Sequence, residues 1–393
     1  MIINGRRALA YIVMIDSITP IDGADNIELA HIGGWNVITK KNEFRAGDLG
    51  VFFEIDSKLP ETEWSEFLRP KHFKVKTMKL SKFDVISQGL VLPLSILPEN
   101  TTTITFSTNM DVTDLLGVTY SVEEDNKRKS NGANPNAKYN SMAARHAKLA
   151  KKKWFKWLMK RSWGRKLLFV FFGKKKDKPR DFPSWIKKTD EERVENMKWI
   201  LEDKRPWIKT EKIDGTSTTF ALDLTGRKPD FIVCSRNVRQ ADAKQENYHS
   251  QEGVDNVYWE MVFKYNIEEA LTKMAEAFSV QKIILQGETY GASLQGNPYK
   301  LEDRRFAAFN LIFDGERLNS LQARNILAVV NIPFVPIIDD NYILPDDFEE
   351  FKLSADGKST ISDVPREGFV YRSADGKHSF KNVSREFLLK HNG

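Results

Sequence analysis

Residues 210–217 (TEKIDGTS) place a lysine, Lys212, two positions before an Asp-Gly turn. The surrounding residues 207–222 are rich in β-branched and aromatic side chains, which favours two strands joined as a hairpin at Asp214 and Gly215. Strand side chains alternate between two faces, so Lys212 and Asp214 are expected on the same face. A lysine amine titrates near ~10.4 and needs nearby cations or a metal ion to become a nucleophile. The stretch indicates a nucleophilic lysine, with a surface lysine beside an ordinary turn as the alternative.

Further charged and aromatic residues follow in separate strand-like segments. Glu288 comes at the end of an apolar run, where a solvated glutamate is the alternative explanation. Phe309 lies in an aromatic stretch that could stack on a purine, and core packing is its alternative. Glu367 begins an alternating segment, and Lys381 closes the series with a cation. Three carboxylates and two lysines are therefore distributed over four predicted strands.

The order of these residues resembles the motif series of the ATP-dependent RNA ligases, which belong to the covalent nucleotidyltransferase superfamily. The resemblance is carried in chain order by residues 212–215 (KIDG), 235–236 (SR), 287–288 (GE), 306–309 (FAAF), 367–368 (EG) and Lys381. Ser379 and Val383 depart from the usual last motif, which leaves Lys381 as its lysine. DNA ligases and capping guanylyltransferases share the superfamily, so the motifs specify lysyl-nucleotide chemistry better than they specify the substrate.

The first hundred residues contain short apolar runs separated by turn signals, which suits a small closed barrel. Residues 23–30, 34–35, 53–57 and 86–90 resemble the N-terminal OB domain of one RNA ligase family. That family has no domain after its last motif, and this chain ends twelve residues beyond Lys381. We expect an α+β protein with an OB-like β-barrel at 1–118, a linker and basic helical insertion at 119–183, and a ligase domain at 184–393. In the ligase domain, antiparallel sheets are expected to be flanked by helices.

The resemblance also implies roles for individual residues. The catalytic residues that it implies are Glu288, Glu367, Lys381 and Lys212, of which Lys212 is the nucleophile. ATP or AMP would be bound by Arg193, Glu211, Gly215, Arg236, Phe309 and Lys381. Mg²⁺ or Mn²⁺ would be held by Asp214, Glu288 and Glu367. For Arg193 the alternative is an exposed residue at the start of a capped helix.

The implied reaction has three steps: formation of lysyl-AMP, transfer of AMP to a 5′-phosphate, and attack by a 3′-OH that releases AMP. The expected partner is RNA, or a duplex that contains RNA, with 3′-OH and 5′-phosphate ends. The protein is expected to act in RNA repair and to be a monomer. Two alternatives stay open. One is a capping-type guanylyltransferase, and the other is a noncatalytic nucleic-acid-binding protein.

A basic segment at 145–180 has no counterpart in the motif series. It holds fifteen Lys or Arg and one acid, Asp177, so its charge is +14 and the rest of the chain carries −8 of the total of +6. Seven aromatic residues interleave with these charges, and residues 141–168 are predicted to be mostly helical. Such a segment could follow a phosphate backbone, pack as a structural insertion, or lie on an anionic membrane. We expect nucleic acid first and membrane contact last, and a flexible linker at 123–139.

Composition excludes several other classes of protein. The apolar run at 167–172 is far shorter than the ~20 residues of a spanning helix. Cys234, the one cysteine, excludes an internal disulfide, and no Cys/His cluster has zinc spacing. The first residues lack the apolar core of a signal peptide. We therefore expect a soluble, intracellular enzyme.

Overall fold

The computed structural model describes residues 1–98, 106–120, 149, 151–172, 180–240 and 256–391. The chain divides into two units. The first unit consists of Met1–Lys127, Asp190–Ile213 and Val335–Gly393, and the second of Arg128–Thr189 and Asp214–Phe334. The linker expected at 123–139 lies outside the described residues, and so do residues 141–148 of the expected helix.

Short antiparallel strands make up the N-terminal part of the first unit. They are β1 Ile2–Ile3, β2 Arg6–Arg7, β3 Ala10–Met14, β4 Ser17–Pro20, β5 Ile27–Ile32, β6 Trp35–Lys40, β7 Leu49–Phe53, β8 Ser57–Lys58, β9 Met78–Leu80, β10 Val85–Ser87, β11 Leu90–Pro93 and β12 Thr119–Tyr120. The two larger sheets have the orders β11-β7-β3 and β4-β5-β6. A 3₁₀ helix, Glu63–Lys71, follows β8.

Strand β3 is buried on both of its faces, which explains its continuous apolar sequence. Ala10 and Ile12 pack into one hydrophobic cluster, and Tyr11 and Val13 pack into another. Because strand side chains alternate, one strand can serve two cores. The N-terminal region is therefore built around β3 and its partner β7.

The remaining elements alternate between the two units. In chain order they are α1 Lys153–Met159, α2 Ser162–Phe172, β13 Arg180–Asp181, β14 Glu192–Arg193, β15 Trp207–Lys212, β16 Thr216–Asp223, β17 Asp230–Ser235, β18 Val238–Arg239, α3 Val257–Lys264, α4 Ile267–Phe278, β19 Lys282–Gly291, β20 Arg304–Phe313, β21 Glu316–Arg317, α5 Ser320–Val329, β22 Ile337–Tyr342, α6 Phe348–Leu353, β23 Gly368–Ser373, β24 Ser379–Val383 and α7 Arg385–His391. Within the described part of the chain, no helix combines the length and apolar character needed to span a bilayer.

A five-stranded sheet of order β14-β24-β23-β15-β22 lies in the first unit. Its strands pair antiparallel except β14 and β24, which are parallel. One face carries a core that includes Trp207, Phe369, Tyr371 and Phe380, packed against Phe351 of α6. This packing fixes the positions of β15, β23 and β24 relative to one another.

A seven-stranded antiparallel sheet of order β13-β18-β17-β16-β19-β20-β21 lies in the second unit. Helices α3, α4 and α5 contribute to its core. Phe220 of β16 contacts Phe306 of β20 with ring centroids 5.2 Å apart, and Leu271 and Met274 of α4 belong to the same cluster. The buried face of this sheet thus determines the register of β16, β19 and β20.

The hairpin predicted for residues 207–222 does not form, although both strands do. Strand β15 pairs with β22 and β23, and β16 pairs with β17 and β19 in a different sheet. Each strand already has a neighbour on both sides, so neither has a free edge for the other. Since β15 ends at Lys212, strand alternation does not extend to Asp214, and the argument that placed both residues on one face was wrong.

Gly287 supplies a test of this packing. A Cβ atom at Gly287 would lie 2.4 Å from the carbonyl oxygen of Ala307 and 2.4 Å from the ring of Phe306. We expect Gly287→Ala to lower the free energy of unfolding by roughly 1–3 kcal/mol, as overpacked cores do. Gly226→Ala is the matched control, because its nearest atom is the carbonyl oxygen of Lys228 at 3.5 Å. Urea denaturation of both variants makes the comparison, and equal midpoints would contradict the expected clash.

Candidate active site

Cations gather on the face of the five-stranded sheet that is opposite its core. Arg193 of β14 pairs across the strands with Lys381 of β24. Lys381 in turn pairs with Val370 of β23, and Val370 pairs with Thr210 of β15. Paired residues on neighbouring strands project from the same face, and Lys212 lies two positions beyond Thr210. Lys212, Lys381 and Arg193 therefore share one face, although 188 positions separate the first and last of them in sequence.

The predicted nucleophile, Lys212, contacts Glu367, the predicted carboxylate directly before β23. Lys212 Nζ lies 2.6 Å from Glu367 Oε1, and both side chains are partly buried. The other carboxylate oxygen, Oε2, is buried and has no hydrogen-bond partner among the described residues. Gly368 allows the close approach of the strands, because a Cβ there would lie 2.2 Å from the carbonyl oxygen of Asn382 and its φ is +145°. One oxygen of Glu367 thus orients the amine, and the second can accept another ligand.

Lys381 is buried beside other cations, and this changes its titration. Burial, followed by the charge of Arg7, lowers the pKa of Lys381 from 10.5 to about 7, with smaller contributions from Arg193 and Lys212. Asp190 opposes this shift, and its Oδ1 lies 3.2 Å from Lys381 Nζ. The ammonium of Lys381 is therefore destabilised until an anion joins it.

Arg193 lies in strand β14, directly before a 3₁₀ helix at Val194–Asn196, and is buried, so the alternative that its side chain is exposed is wrong. Its NH2 atom lies 3.6 Å from Asp56 Oδ2. Its Nε and NH1 atoms are buried without a hydrogen-bond partner among the described residues. A buried guanidinium with two unmatched donors suits a phosphate, which accepts from Arg in a forked geometry.

Two residues of this cluster were not found from the sequence. Arg7 donates from NH1 to Glu54 at 3.0 Å and from Nε to Asp190 at 3.0 Å. Asp190 bridges Arg7 and Lys381. Arg7 belongs to no motif, whereas Asp190 lies within the segment that suggested Arg193. An acidic residue close to a predicted phosphate-binding arginine could have signalled the role of Asp190.

The structure does not bring Glu211 together with Lys212. Successive residues of β15 point to opposite faces, so Glu211 projects from the core face of the sheet. Its buried carboxylate accepts hydrogen bonds from the hydroxyls of Ser359 and Thr360 and from the Thr360 backbone N–H. Three donors therefore hold the carboxylate of Glu211 to the loop at 359–360.

The other predicted residues belong to the second unit. The backbone N–H of Asp214 donates to Tyr299 Oη at 2.8 Å. Glu288 of β19 pairs across the strands with Ser217 of β16. A Cβ at Gly215 would lie 2.4 Å from the carbonyl oxygen of Thr289 and 3.0 Å from Glu288 Cγ, so glycine is required there. Gly215 and Glu288 are thus in close contact.

The two phenylalanines of the predicted purine-stacking segment differ in environment. Phe306 is fully buried in the core of the second unit, so core packing accounts for it. Phe309 is partly exposed on β20. Arg236 is exposed directly after β17. Phe309 and Arg236 are accessible to a ligand, whereas Phe306 is not.

The first unit offers a carboxylate oxygen that could bind a divalent ion. The buried and unmatched Oε2 of Glu367 is a suitable ligand atom for Mg²⁺ or Mn²⁺. The described residues contain no group of three or more His, Cys, Asp or Glu side chains that could enclose an ion. Mg²⁺ keeps several of its waters and binds through few carboxylates, so Glu367 with a water shell is compatible with it.

Comparison with known proteins agrees with this arrangement. Residues 205–390 match the RNA ligase family, and residues 9–94 match an OB-fold domain. A solved structure of Naegleria gruberi RNA ligase with AMP and Mn is 28% identical, with a TM-score of 0.73, over 98% of this chain and 99% of that chain. Both matched regions therefore correspond to those of the ATP-dependent RNA ligases that have an N-terminal OB domain. The α+β fold expected for such a ligase is confirmed.

Two further structures of the Naegleria gruberi protein are similar to this ligase. One was solved with pyrophosphate, at 28% identity and a TM-score of 0.73, and the other, a variant, with ATP and Mn at 28% identity and a TM-score of 0.72. Both cover 98% of this chain and 99% of the other. No curated protein matches the ligase. The domain boundaries at 118 and 183 and the individual residue roles stay predictions.

The lowered pKa of Lys381 predicts a specific dependence of stability on pH. Lys381 titrates near 10.5 when unfolded and near 7 when folded. Between these values the unfolded chain binds more protons, so stability rises with pH. From about pH 7 to about pH 9, we expect wild-type ligase to gain roughly 2 kcal/mol of unfolding free energy relative to Lys381→Met.

Urea denaturation across this range measures the difference. Lys41→Met, at an exposed position of the same unit, is the control and should change with pH as the wild type does. Parallel pH dependences for wild type and Lys381→Met would contradict the burial of a titrating ammonium.

Proposed function

We propose that this ligase joins a 3′-OH end to a 5′-phosphate end of RNA, with Lys212 as the residue that carries AMP, and that it acts in RNA repair. The observation that carries the proposal is the pairing of Lys212 with Glu367 on the sheet face that also holds Lys381 and Arg193. This arrangement combines a candidate nucleophile with donors for a polyphosphate.

In the first step, Nζ of Lys212 attacks the α-phosphorus of ATP. A P–N bond forms, the bond from the α-phosphorus to pyrophosphate breaks, and the ammonium gives up two of its three protons. Glu367 Oε1, 2.6 Å from Nζ, orients the amine and can accept one of its protons. Solved structures of Naegleria gruberi RNA ligase contain ATP, AMP or pyrophosphate, which supports ATP as the nucleotide of this step.

Lys381 and Arg193 would neutralise the phosphates of ATP. Arg193 offers two buried N–H donors that lack partners among the described residues, and Lys381 becomes a stable ammonium when an anion replaces part of its lost hydration. Asp190 keeps Lys381 in place through its contact at 3.2 Å. Donors that are already oriented cost no reorganisation when negative charge develops.

A divalent ion bound through its waters to Glu367 would lower the charge repulsion on the transferring phosphate. Asp214 and Glu288 are proposed as further metal ligands, each with its water shell. Gly215 leaves room at the backbone of Thr289, where a larger residue would clash. Phe309 would stack on adenine, and Arg236 would contact the ribose or phosphate side. Glu211, which the resemblance also assigns to nucleotide binding, lies on the core face of the sheet, where three donors hold its carboxylate.

In the second step, a 5′-phosphate oxygen of RNA attacks the AMP phosphorus, and the P–N bond to Lys212 breaks. In the third step, the 3′-OH attacks the activated 5′-phosphorus, and AMP leaves. Both partners in the joined bond therefore come from nucleic-acid ends. The match to the RNA ligase family supports RNA as the substrate. We propose that the protein acts as a monomer.

Lys212→Ala should lose the covalent adduct completely, because the methyl group cannot form the P–N bond. Incubation with α-labelled ATP and Mn²⁺, followed by denaturing electrophoresis, detects the adduct. RNA affinity should stay near wild type, which shows that the variant folds. Lys204→Ala, at an exposed ion pair with Asp346, is the matched control and should retain the label. A labelled Lys212→Ala protein would refute the assignment of the nucleophile.

The same assay separates the proposal from its alternatives. A ligase accepts label from ATP, whereas a capping-type guanylyltransferase accepts it from GTP. A noncatalytic protein binds RNA and accepts label from neither nucleotide.

Sealing should require a 5′-phosphate, since a 5′-hydroxyl offers no phosphate oxygen to receive AMP. We expect a nicked RNA duplex with 3′-OH and 5′-phosphate ends to be joined, and the same duplex with a 5′-hydroxyl to remain open. Gel electrophoresis of end-labelled strands measures both, with a DNA strand at the 3′-OH side as a further comparison. Joining of the 5′-hydroxyl duplex would contradict the proposed second step.

A further inference from the structure

We propose that the helical hairpin of α1 and α2, residues 151–172, is a docking surface for an anionic lipid bilayer and lies in the plane of the membrane interface. This surface shares no residue with the candidate active site. The sequence alone favours nucleic acid as the partner of this segment, and the exposure of its side chains reverses that order.

An apolar stripe runs along the outer face of α2. Trp163, Leu167, Val170 and Phe171 follow helical spacing, so they lie on one face. All four are exposed, and Val170 and Phe171 reach 76% and 73% of their full exposure. The hairpin thus presents aliphatic and aromatic side chains together to its surroundings.

The aromatic surface continues onto α1. Trp157 packs edge-on against Trp163 with ring centroids 5.9 Å apart, and Arg161 lies 4.0 Å from the centre of the Trp157 ring. Trp154 and Trp157 are also exposed. Tryptophan and arginine are favoured at the boundary between lipid headgroups and acyl chains.

The hairpin holds this surface in a fixed arrangement. Phe155 and Leu168 are buried against each other in a small core between the helices. Gly164 allows the helices to approach closely, since a Cβ there would lie 2.3 Å from the carbonyl oxygen of Leu158. Arg165 NH1 donates to the carbonyl oxygen of Met159 at 3.1 Å. The apolar stripe is therefore the face that remains after the hairpin has formed its own core.

The charged residues within 151–172 are all basic. Residues 151–172 contain no acid and eight basic residues: Lys151, Lys152, Lys153, Lys156, Lys160, Arg161, Arg165 and Lys166. All except Arg165 are in the exposed class. A basic helix with an apolar face that contains Trp, Phe and Leu is the pattern of an interfacial membrane element, and its charge complements anionic lipid headgroups.

RNA explains only part of this surface. Bases stack on aromatic rings and phosphates attract Lys and Arg, so Trp154, Trp157 and the basic residues would suit RNA. Leu167 and Val170 have no ring on which a base could stack, and water contact with them is unfavourable. A bilayer accepts the aliphatic, aromatic and basic side chains together.

The test is co-sedimentation of the full-length chain with phosphatidylcholine vesicles, with and without one quarter phosphatidylglycerol. Wild type should bind the anionic vesicles and bind the neutral ones more weakly. The variant Leu167→Ser/Val170→Ser/Phe171→Ser should bind the anionic vesicles with an affinity reduced at least about tenfold, because its insertion into the acyl region is lost. Its affinity for single-stranded RNA, measured by fluorescence anisotropy, should match wild type.

The matched control is Val329→Ser/Ile343→Ser/Leu353→Ser, which removes three exposed apolar side chains elsewhere, including Val329 at 82% exposure. It should bind vesicles as wild type does. The proposal is overturned if wild type does not sediment with anionic vesicles, or if the α2 variant sediments equally well. It is also overturned if the α2 variant loses RNA affinity and keeps its vesicle binding, which would assign the hairpin to RNA.

Discussion

The candidate active site depends on the concentration of positive charge on one face of a five-stranded sheet. Lys212, Lys381 and Arg193 project from this face, and Glu367 and Asp190 compensate them only in part. Repulsion among buried cations is costly in a medium of low polarity. Burial and neighbouring cations lower the pKa of Lys381, and two buried donors of Arg193 lack hydrogen-bond partners among the described residues. An anionic ligand removes the cost, so the free protein is prepared for a polyphosphate.

The same sheet explains how Lys212, the proposed nucleophile, is kept in position. Side chains alternate along β15, so Trp207 and Glu211 serve the core face and Lys212 serves the opposite face. Trp207 is fully buried, and the carboxylate of Glu211 is held by Ser359 and Thr360. Movement of the lysine would require disruption of these contacts. Precise placement of a reactive amine therefore comes from apolar packing and hydrogen bonds on the side where no reaction occurs.

The motifs in the sequence predicted most residues of this cluster. The residues that they did not predict are brought in by folding contacts. Lys212, Glu367 and Lys381 belong to recognisable motifs, and the sheet brings them together on one face. Arg7 belongs to no motif and joins the cluster through contacts with Glu54 and Asp190, so only the folded chain reveals it. The hairpin at Asp214 was wrong for a related reason. Local residue pattern indicates strands and turns, but pairing partners are decided by distant segments such as β19 and β23.

Charge in this chain acts locally, and this separates the active site from the basic hairpin. Residues 145–180 carry +14 and the remainder carries −8, so the cations of the active site lie in a background that is acidic on average. At physiological salt, interactions between exposed charges are screened beyond about 8 Å. The basic hairpin can therefore attract only what comes close to it. In the proposed function, ATP is bound by Lys381, Arg193 and their immediate neighbours, whose burial limits screening. The net charge of the chain predicts neither this binding nor the charge of the hairpin.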